Sequence, residues 1–310
     1  MLGLPAVDVS LLELARAIEG VGYRFTTITP ESHRRVNDRP GNELAQDLRG
    51  IFGWSRAFDP AALPEGLFGL MQASGAVLAD GELWRSRIRF STIDDRLFLH
   101  SAFPTDDADA VFFGPDTYRF VAAMREALIE LPPWHHAADI GCGSGAAGII
   151  LARENPDASV VLTDINPAAL RLSKINAALA GTVNVEVRQA NLLDGIAGDF
   201  DLIVANPPYL LDTAKRLYRH GGGSRGEGLS LAIVDTALAR LAPGGALLLY
   251  TGAAVVDGID PLREAIAARL ADTTHFWRYR EIDPDVFGDE LAHLDADRIA
   301  AVFLILIKAK

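Results

Sequence analysis

Four consecutive residues, Asn206, Pro207, Pro208 and Tyr209, combine groups that can bind a flat nitrogen. They follow an apolar run at residues 202–205 that is typical of a buried strand. The two prolines fix φ and remove two N–H donors, so carbonyl oxygens are the polar groups left on this backbone. A planar NH2 group needs two acceptors, which the Asn206 side-chain oxygen and the Pro207 carbonyl can supply, while Tyr209 offers a ring for stacking. The stretch therefore predicts a site for an amide or an aromatic amine.

A second stretch, AADIGCGSGAAG at residues 137–148, predicts a ligand site after another strand. Gly141, Gly143 and Gly145 allow a tight turn into a helix and let the backbone approach a ligand closely. The amides of the helix N-terminus then point at that ligand. Residues 143–148 also match the G-x-G-x-x-G motif of dinucleotide-binding proteins, with Asp164 about 20 residues further on. The glycines alone leave both kinds of ligand open.

Asp139 favours one of these ligands, because it directly precedes the first glycine. A carboxylate there repels a pyrophosphate but can accept a hydrogen bond from an ammonium group. S-adenosylmethionine (SAM) carries such a group, and NAD does not. Asp164 ends the next predicted strand, where it can bind the two ribose hydroxyls of either ligand. Cys142, inside the turn, is interpreted as a packed turn residue rather than a nucleophile, since no partner base is evident.

Together the two stretches predict the transfer of a methyl group to nitrogen. The lone pair of a planar nitrogen is delocalised, which makes that nitrogen a poor nucleophile. Acceptors on both of its hydrogens favour a pyramidal geometry and direct the freed lone pair at the sulfonium methyl. The reaction is then an in-line displacement that depends on positioning and preorganised acceptors, and it requires no metal.

The composition limits the class of protein. The chain has 310 residues, a net charge of −12 and one cysteine. One cysteine excludes an internal disulfide and fits a reducing compartment. The longest apolar run, at residues 300–307, is too short to cross a membrane, and the first ten residues lack the basic start of a signal peptide. We therefore expect a cytoplasmic protein without membrane contact, and the acidic charge argues against a broad nucleic-acid surface.

From about Trp134 onward the sequence alternates short apolar runs with helical stretches, which predicts an α/β fold for a domain placed at residues 106–310. We expect a Rossmann-like sheet of seven strands with helices on both faces. The predicted strands are residues 137–140, 159–163, 183–188, 200–205, 245–250, 275–279 and 299–307. The predicted helices are residues 146–154, 167–180, 229–241 and 261–270, with a helix stop and turn at residues 241–245. Since ligands bind at the carboxyl ends of the strands in such sheets, both motifs are expected beside one crevice.

Residues 1–105 predict a smaller N-terminal module, with a possible role in substrate recognition. Helical patterns at residues 10–19, 42–52 and 60–73 precede a small sheet, an order that suggests a winged-helix-like α+β module. The domain boundary is placed in the polar segment at residues 101–110. Arg85, Arg87 and Arg89 are expected on one strand face by the period of two. That face is either solvated or a contact surface for an acidic partner.

Several of these motifs are similar to those of a known family. The stretches DIGCGSG, LTDIN and NPPY resemble the class I SAM-dependent methyltransferases. Their order and spacing resemble the HemK/PrmC type, which methylates glutamine amides of release factors, and the resemblance covers residues 111–310. Residues 112–118, FFGPDTY, resemble its Pro-Asp-Thr segment, although Tyr118 stands where an acidic residue is usual. Residues 226–238, GEGLSLAIVDTAL, resemble its glycine-rich return to a helix.

The resemblance implies SAM as the cofactor and a role for each motif. Four residues of the glycine turn would hold the methionine portion: Asp139, Gly141, Gly143 and Gly145. Asp164 would bind the ribose. Asn206, Pro207 and Tyr209 would hold the substrate nitrogen, with Asn206 also beside the cofactor. The acidic residue that contacts adenine in the family falls on Asn191, with Asp194 as the alternative.

The substrate nitrogen stays open between two classes, because a glutamine amide and the exocyclic amine of adenine present the same NH2 group. The acidic charge and the Pro-Asp-Thr segment favour a glutamine in a protein. A basic segment beside the predicted site favours adenine in RNA or DNA, since it could follow phosphates together with the arginine face. Its basic residues are Lys215, Arg216, Arg219, His220 and Arg225. His220 is interpreted as a loop residue in preference to a general base, and a small-molecule substrate is the third alternative.

Two other classes remain open from the sequence. A dinucleotide-dependent oxidoreductase would bind NADH rather than SAM. A partner-binding protein would keep SAM as a structural ligand only, and methyl transfer from labelled SAM to any cell fraction would exclude it.

Overall fold

The computed structural model describes residues 4–212 and 216–309. Its N-terminal part contains short helices followed by two antiparallel hairpins. The elements are α1 (Ala6–Gly20), α2 (Pro30–Asn37), α3 (Leu48–Phe52), α4 (Leu67–Ala73), β1 (Val77–Asp80), β2 (Leu83–Ser86), β3 (Ile88–Ile93) and β4 (Arg96–Ser101). β1 pairs with β2 and β3 with β4, each pair forming its own two-stranded sheet.

The remainder of the chain alternates strands and helices. Its elements are α5 (Pro115–Leu128), β5 (His136–Ile140), α6 (Ala146–Glu154), β6 (Ser159–Asp164), α7 (Pro167–Leu179), β7 (Val185–Gln189), β8 (Phe200–Ala205), α8 (Gly228–Arg240), β9 (Leu241–Val255), α9 (Pro261–Leu270), β10 (Phe276–Asp283) and β11 (Arg298–Ile307). The seven strands form one sheet in the order β10-β11-β9-β8-β5-β6-β7. β11 is antiparallel to both of its neighbours, and the other pairs are parallel. The prediction of a Rossmann-like seven-stranded α/β sheet is confirmed.

The central strands are mostly apolar because helices cover both faces of the sheet. One core cluster lies between the sheet and α5 and α6, and it includes Phe120 and Ile149. A second lies on the side of α8 and α9, and it includes Ile233 and Ile266. Both sets of side chains are buried, so the sheet is held rigidly between two apolar layers.

The strand order reverses between β5 and β8, which lie side by side in the sheet. In the register of this parallel pair, Ile140 lies opposite Ala205. The next residues along the chain are Gly141 on one strand and Asn206 on the other, so both predicted motifs leave the sheet at the same place. A crevice at such a switch point is where doubly wound sheets bind their ligands.

Helix α7 connects the N-terminal part to the sheet. Its residues Ala169, Leu172 and Ile175 belong to one buried cluster with residues of α1, α3 and β3. Asn176, on the same helix, donates to the carbonyl of Leu99 at 3.0 Å and to that of Ser144 in the glycine turn at 2.8 Å. The N-terminal part therefore shares a core with the helix that supports the glycine turn. The domain boundary at residue 105 stays a prediction.

Several element bounds differ from the predictions. The helix expected at residues 42–52 begins only at Leu48, where the Asp47 side chain accepts from the amide of Gly50 and caps the first turn. The helix expected at residues 60–73 is divided into a 3-10 turn, Pro60–Ala62, and α4, because Pro64 lacks an amide hydrogen and Gly66 adopts φ +83°. α8 ends at Arg240, and β9 already begins at Leu241, where a turn was expected.

The prediction that three arginines share one strand face is wrong. The strand expected there is interrupted, since β2 ends at Ser86 and β3 begins at Ile88. Arg85 and Arg87 are exposed, whereas Arg89 is buried and donates to the carbonyl of Gly53 at 2.7 Å. Among the described residues, no helix is long and apolar enough to span a membrane.

Candidate functional site

A cavity of ≈ 190 Å³ lies at the carboxyl ends of β5, β6 and β8. The lining brings together most of the residues predicted from the sequence. They are Asp139, Gly141, Gly143, Asp164, Asn191, Asn206, Pro207 and Tyr209. The two motifs are therefore two ends of one cavity, as the strand register requires.

The glycine turn needs glycine for two different reasons. Gly141 and Gly143 have φ of +68° and +54°, and a Cβ on either would have no heavy atom within 4 Å. Their backbone is therefore open to the cavity, and only a glycine adopts this conformation without strain. Gly145 is outside the cavity lining, and a Cβ there would lie 3.0 Å from side-chain atoms of Ile149, Leu162 and Ser173. A glycine at 145 thus allows α6 to pack closely, and its contact with a cofactor stays a prediction.

Asp139 places a buried carboxyl group beneath the turn. It is 2% exposed, and its Oδ2 accepts from the amide of Gly148 at 2.8 Å. Burial raises the pKa of Asp139 to about 7, and the nearby Asp164 contributes in the same direction. A bound ammonium group would offset the cost of burying the charged carboxylate, because an opposite charge favours the ionised form.

Asp164 lies at the end of β6 and supports the same turn. Its Oδ2 accepts from the amide of Gly143 at 2.9 Å, and its Oδ1 accepts from the amide of Asn166 at 2.9 Å. Burial raises the pKa of Asp164 as well. Two oxygens anchored by backbone amides keep the carboxylate fixed at the cavity wall, where hydroxyl groups can donate to its remaining lone pairs.

The adenine end of the predicted cofactor site lies at the start of the segment after β7. Asn191 lines the cavity and Asp194 does not. Asn191 Nδ2 donates to Asp194 Oδ2 at 3.5 Å, a long contact that leaves the amide free to bind elsewhere. The geometry favours Asn191 over Asp194 for this role. These groups fit SAM within one cavity. The buried carboxyl of Asp139 matches its ammonium, the fixed carboxylate of Asp164 its ribose, and the amide of Asn191 its base.

The other end of the cavity holds the predicted acceptor residues. Asn206 is half-buried, and within residues 4–212 and 216–309 its side-chain amide has no hydrogen-bond partner. Pro207 and Tyr209, which follow it in the chain, are buried. The Tyr209 hydroxyl donates to Oδ2 of Asp116 in α5. An unpaired amide oxygen next to a fixed aromatic ring is the arrangement expected for binding a planar NH2 group.

A glycine-rich segment before α8 packs directly on the backbone of the acceptor residues. The amide of Gly221 donates to the carbonyl of Leu210 at 2.9 Å. Gly226 has φ +96°, and a Cβ there would lie 2.1 Å from the carbonyl oxygen of Tyr209. This segment therefore fixes the position of the Tyr209 backbone beyond the end of β8.

Two arginines of the basic segment are held in ion pairs, whereas Arg225 forms none among residues 4–212 and 216–309. Arg216 Nη2 donates to Asp212 Oδ1 at 2.6 Å, and this guanidinium lowers the pKa of Asp212 to about 2. Arg219 forms an ion pair with Glu290. The amide of Asp212 donates to His220 Nδ1 at 3.3 Å, which gives that ring a structural partner. Lys215 lies outside the described residues.

Sequence reasoning assigned no role to several residues that build the site. Phe287, in the connection between β10 and β11, lines the cavity and has a φ of +56°. Its ring meets that of Tyr209 edge to face, with the ring centroids 5.9 Å apart. Tyr218 stacks on Phe112 at the cavity wall. Asp116 belongs to the Pro-Asp-Thr segment that was noted for its resemblance, which is the only sequence signal for any of them.

Binding of SAM is expected to weaken as the pH falls below about 7. The pKa of Asp139 is raised to about 7, so its carboxyl is largely neutral below that pH and its attraction for the ammonium is lost. The dissociation constant should rise about tenfold per pH unit between pH 7 and the lower pKa of the complex. Calorimetry from pH 5.5 to 8 in buffers of different ionisation enthalpy measures both the affinity and the proton released on binding.

The control for this experiment is Asp139→Asn, which keeps an oxygen for the amide of Gly148. This variant should bind SAM weakly at every pH, and its dissociation constant should change with pH much less than that of the wild-type chain. A wild-type dissociation constant that stays flat from pH 5.5 to 8 would mean that Asp139 does not hold the ammonium group.

Comparison with known proteins finds methyltransferases among those similar to this chain. A family model described as the methyltransferase small domain matches residues 122–255. The release factor glutamine methyltransferase of Deinococcus radiodurans is 37% identical over 199 residues, covering 60% of this chain and 66% of that protein. The one of Cereibacter sphaeroides is 32% identical over 239 residues, covering 72% of this chain and 84% of that protein. The first alignment therefore spans just under two thirds of its relative's length, and the second spans most of its relative's length.

Among solved structures, the M. jannaschii TYW2 in complex with AdoMet superposes with a TM-score of 0.50 and 14% identity. It covers 75% of this chain and 90% of that protein. At this identity the likeness concerns the fold alone, which is the one described above.

Proposed function

The chain belongs to the release factor glutamine methyltransferase family, and from that premise we propose that it methylates the side-chain amide nitrogen of a glutamine in a protein. It is a SAM-dependent methyltransferase. A release factor is the proposed acceptor, since both relatives carry that name. The single cysteine, which is buried, supports our prediction of a cytoplasmic protein.

One observation carries the proposal: the strand register puts the Asn206 amide, which has no partner in the described part of the chain, beside the glycine turn in a single cavity. Asp139, Gly141 and Gly143 would hold the methionine portion of the donor, and Asp164 its ribose. Asn206 and Pro207 would accept from the two N–H bonds of the glutamine. The nitrogen then lies between its acceptors and the donor site, as an in-line displacement requires.

The protein groups act on the acceptor nitrogen. When bound, SAM supplies an electrophilic methyl carbon. The Asn206 and Pro207 oxygens accept hydrogen bonds from both N–H groups and pull these hydrogens out of the amide plane, which frees the lone pair of the nitrogen. Tyr209 supports the flat face of the amide. The nitrogen forms one bond to carbon as the carbon–sulfur bond breaks, and it releases one proton to water.

The described contacts favour a protein acceptor over adenine in RNA or DNA. Phosphate binding needs available Lys and Arg side chains. Arg216 and Arg219 are instead paired with Asp212 and Glu290, and Arg89 is buried. Residues 1–105, which share a core with α7, are proposed to contribute to recognition of the acceptor protein.

The proposal is tested by transfer of labelled methyl from SAM to a bacterial lysate that is then digested with protease or nuclease. Label should be released by protease alone, and mass spectrometry of the labelled peptides should place one methyl group on a glutamine. Synthetic peptides with that glutamine, or with glutamate at the same position, provide the matched control. Label that only nuclease releases would establish the adenine alternative.

A further inference from the structure

Asp116 holds two tyrosine hydroxyls at the acceptor end of the cavity. It is the second residue of α5 and is 4% exposed, yet it belongs to the cavity lining. Its Oδ2 accepts from the hydroxyl of Tyr209, and its Oδ1 accepts from the hydroxyl of Tyr250 at 2.8 Å. Arg119 Nη1 donates to the same Oδ1 at 3.1 Å. One carboxylate thus joins α5, the end of β8 and the middle of β9.

The surroundings of this carboxylate satisfy its oxygens and keep both tyrosines as donors. A buried carboxylate is costly unless its lone pairs are satisfied, and here three donors satisfy them. Its place in the first turn of α5 adds the favourable field of the helix N-terminus. Burial and the neighbouring carboxylate raise the pKa of Tyr209 and of Tyr250 well above the usual value. Both hydroxyls therefore stay protonated and bound at any pH of interest.

The two tyrosines differ in one respect that matters for the reaction. Tyr209 lines the cavity, whereas Tyr250 is not among its lining residues. The ring of Tyr209 lies over Gly252, where a Cβ would come within 2.1 Å of its Cδ2, and its edge meets Phe287. These apolar contacts hold the ring body, and the hydrogen bond to Asp116 fixes its far end.

We propose that Asp116 is a positioning residue for methyl transfer, which acts by holding the hydroxyl of Tyr209 so that its ring presents a fixed face to the acceptor amide. The inference rests on the proposed function. A ring held at both ends is preorganised, whereas a ring held by packing alone can tilt away from the nitrogen. In this proposal Asp116 acts on the acceptor through Tyr209, to which it is bonded.

A double-mutant cycle with Asp116→Asn and Tyr209→Phe tests this coupling in the full chain. Initial rates of label transfer from SAM to whole lysate are measured for both single variants and the double variant. Each single variant should lose roughly tenfold, and the double variant should lose no more than the worse of the two, because both eliminate the same bond from the Tyr209 hydroxyl to a carboxylate oxygen. The dissociation constant of SAM should change by less than about twofold, since the donor contacts stay intact.

Tyr250→Phe is the matched control, because it removes the other hydroxyl from the same carboxylate without changing the cavity lining. It should lower the melting temperature and leave the transfer rate within about twofold, as expected for a buried hydrogen bond away from the site. If Asp116→Asn fails to fold, Tyr209→Phe alone decides. A wild-type rate for Tyr209→Phe, or additive losses in the cycle, would overturn the proposal.

A second readout does not depend on the acceptor. NMR of ring-labelled tyrosine should show faster ring flipping of Tyr209 in Asp116→Asn than in the wild-type chain. An unchanged flip rate would also overturn the proposal. If the wild-type chain labels only nucleic acid, the proposed function fails, but the rate cycle and the flip rate still report on Asp116.

Discussion

Replacement of Asn206 by alanine is expected to lower the rate of methyl transfer by on the order of 100-fold, while the dissociation constant of SAM changes by less than about twofold. The substitution removes the amide oxygen that accepts from the acceptor nitrogen, and it removes nothing from the glycine turn or from Asp164. Since the Asn206 amide has no hydrogen-bond partner within residues 4–212 and 216–309, its loss breaks no described side-chain contact. Rates at saturating SAM and calorimetric affinities measure the two effects separately.

The matched control is the same substitution at the opposite end of the cavity. Asn191→Ala should weaken SAM binding and leave the rate at saturating SAM close to that of the wild-type chain. The two variants thus separate the acceptor end from the donor end. If Asn206→Ala instead raised the dissociation constant of SAM and kept the saturated rate, Asn206 would belong to the donor site.

The sheet was predictable because each of its elements is encoded locally. The runs of β5, β6, β8 and β11 are mostly apolar, and Gly141, Pro167 and Pro207 follow shortly after the first three. Predicted and observed bounds therefore agree within one residue for these strands. The short helices before β1 are less predictable, since α3 and the turn before α4 depend on individual caps and on Gly66 rather than on a periodic pattern.

The same reasoning explains which part of the site could be predicted. The glycine turn and the Asn-Pro-Pro-Tyr stretch are continuous in sequence, and the parallel register of β5 and β8 brings them together. The partners of Tyr209 are remote: Asp116 lies 93 residues away along the chain, and Phe287 comes from the connection between β10 and β11. No pattern around these residues indicates that they meet. Arg219 misleads for the same reason, because its acidic partner Glu290 lies 71 residues away along the chain. Arg216 has a near partner, Asp212, at a spacing of four residues.

The glycine-rich segment before α8 yields the second large prediction: Gly226→Ala should lower the free energy of unfolding by about 3 kcal/mol and the transfer rate by roughly 100-fold. Its φ of +96° is strained for alanine, and its Cβ would lie 2.1 Å from the carbonyl oxygen of Tyr209. A carbonyl on the main chain cannot rotate away as a side chain can. The backbone that carries Asn206 to Tyr209 must then shift, which moves the acceptor site away from the donor site.

Gly222→Ala separates the clash from the backbone strain. Gly222 belongs to the same segment and also has a positive φ, +71°, but a Cβ there would have no heavy atom within 4 Å. This variant should lose only about 1 kcal/mol of stability, the cost of a left-handed alanine, and should keep most of the transfer rate. Chemical denaturation and initial rates, taken at a temperature where both variants are folded, measure the difference. Equal losses in the two variants would show that contact with the Tyr209 carbonyl does not set the position of the acceptor residues.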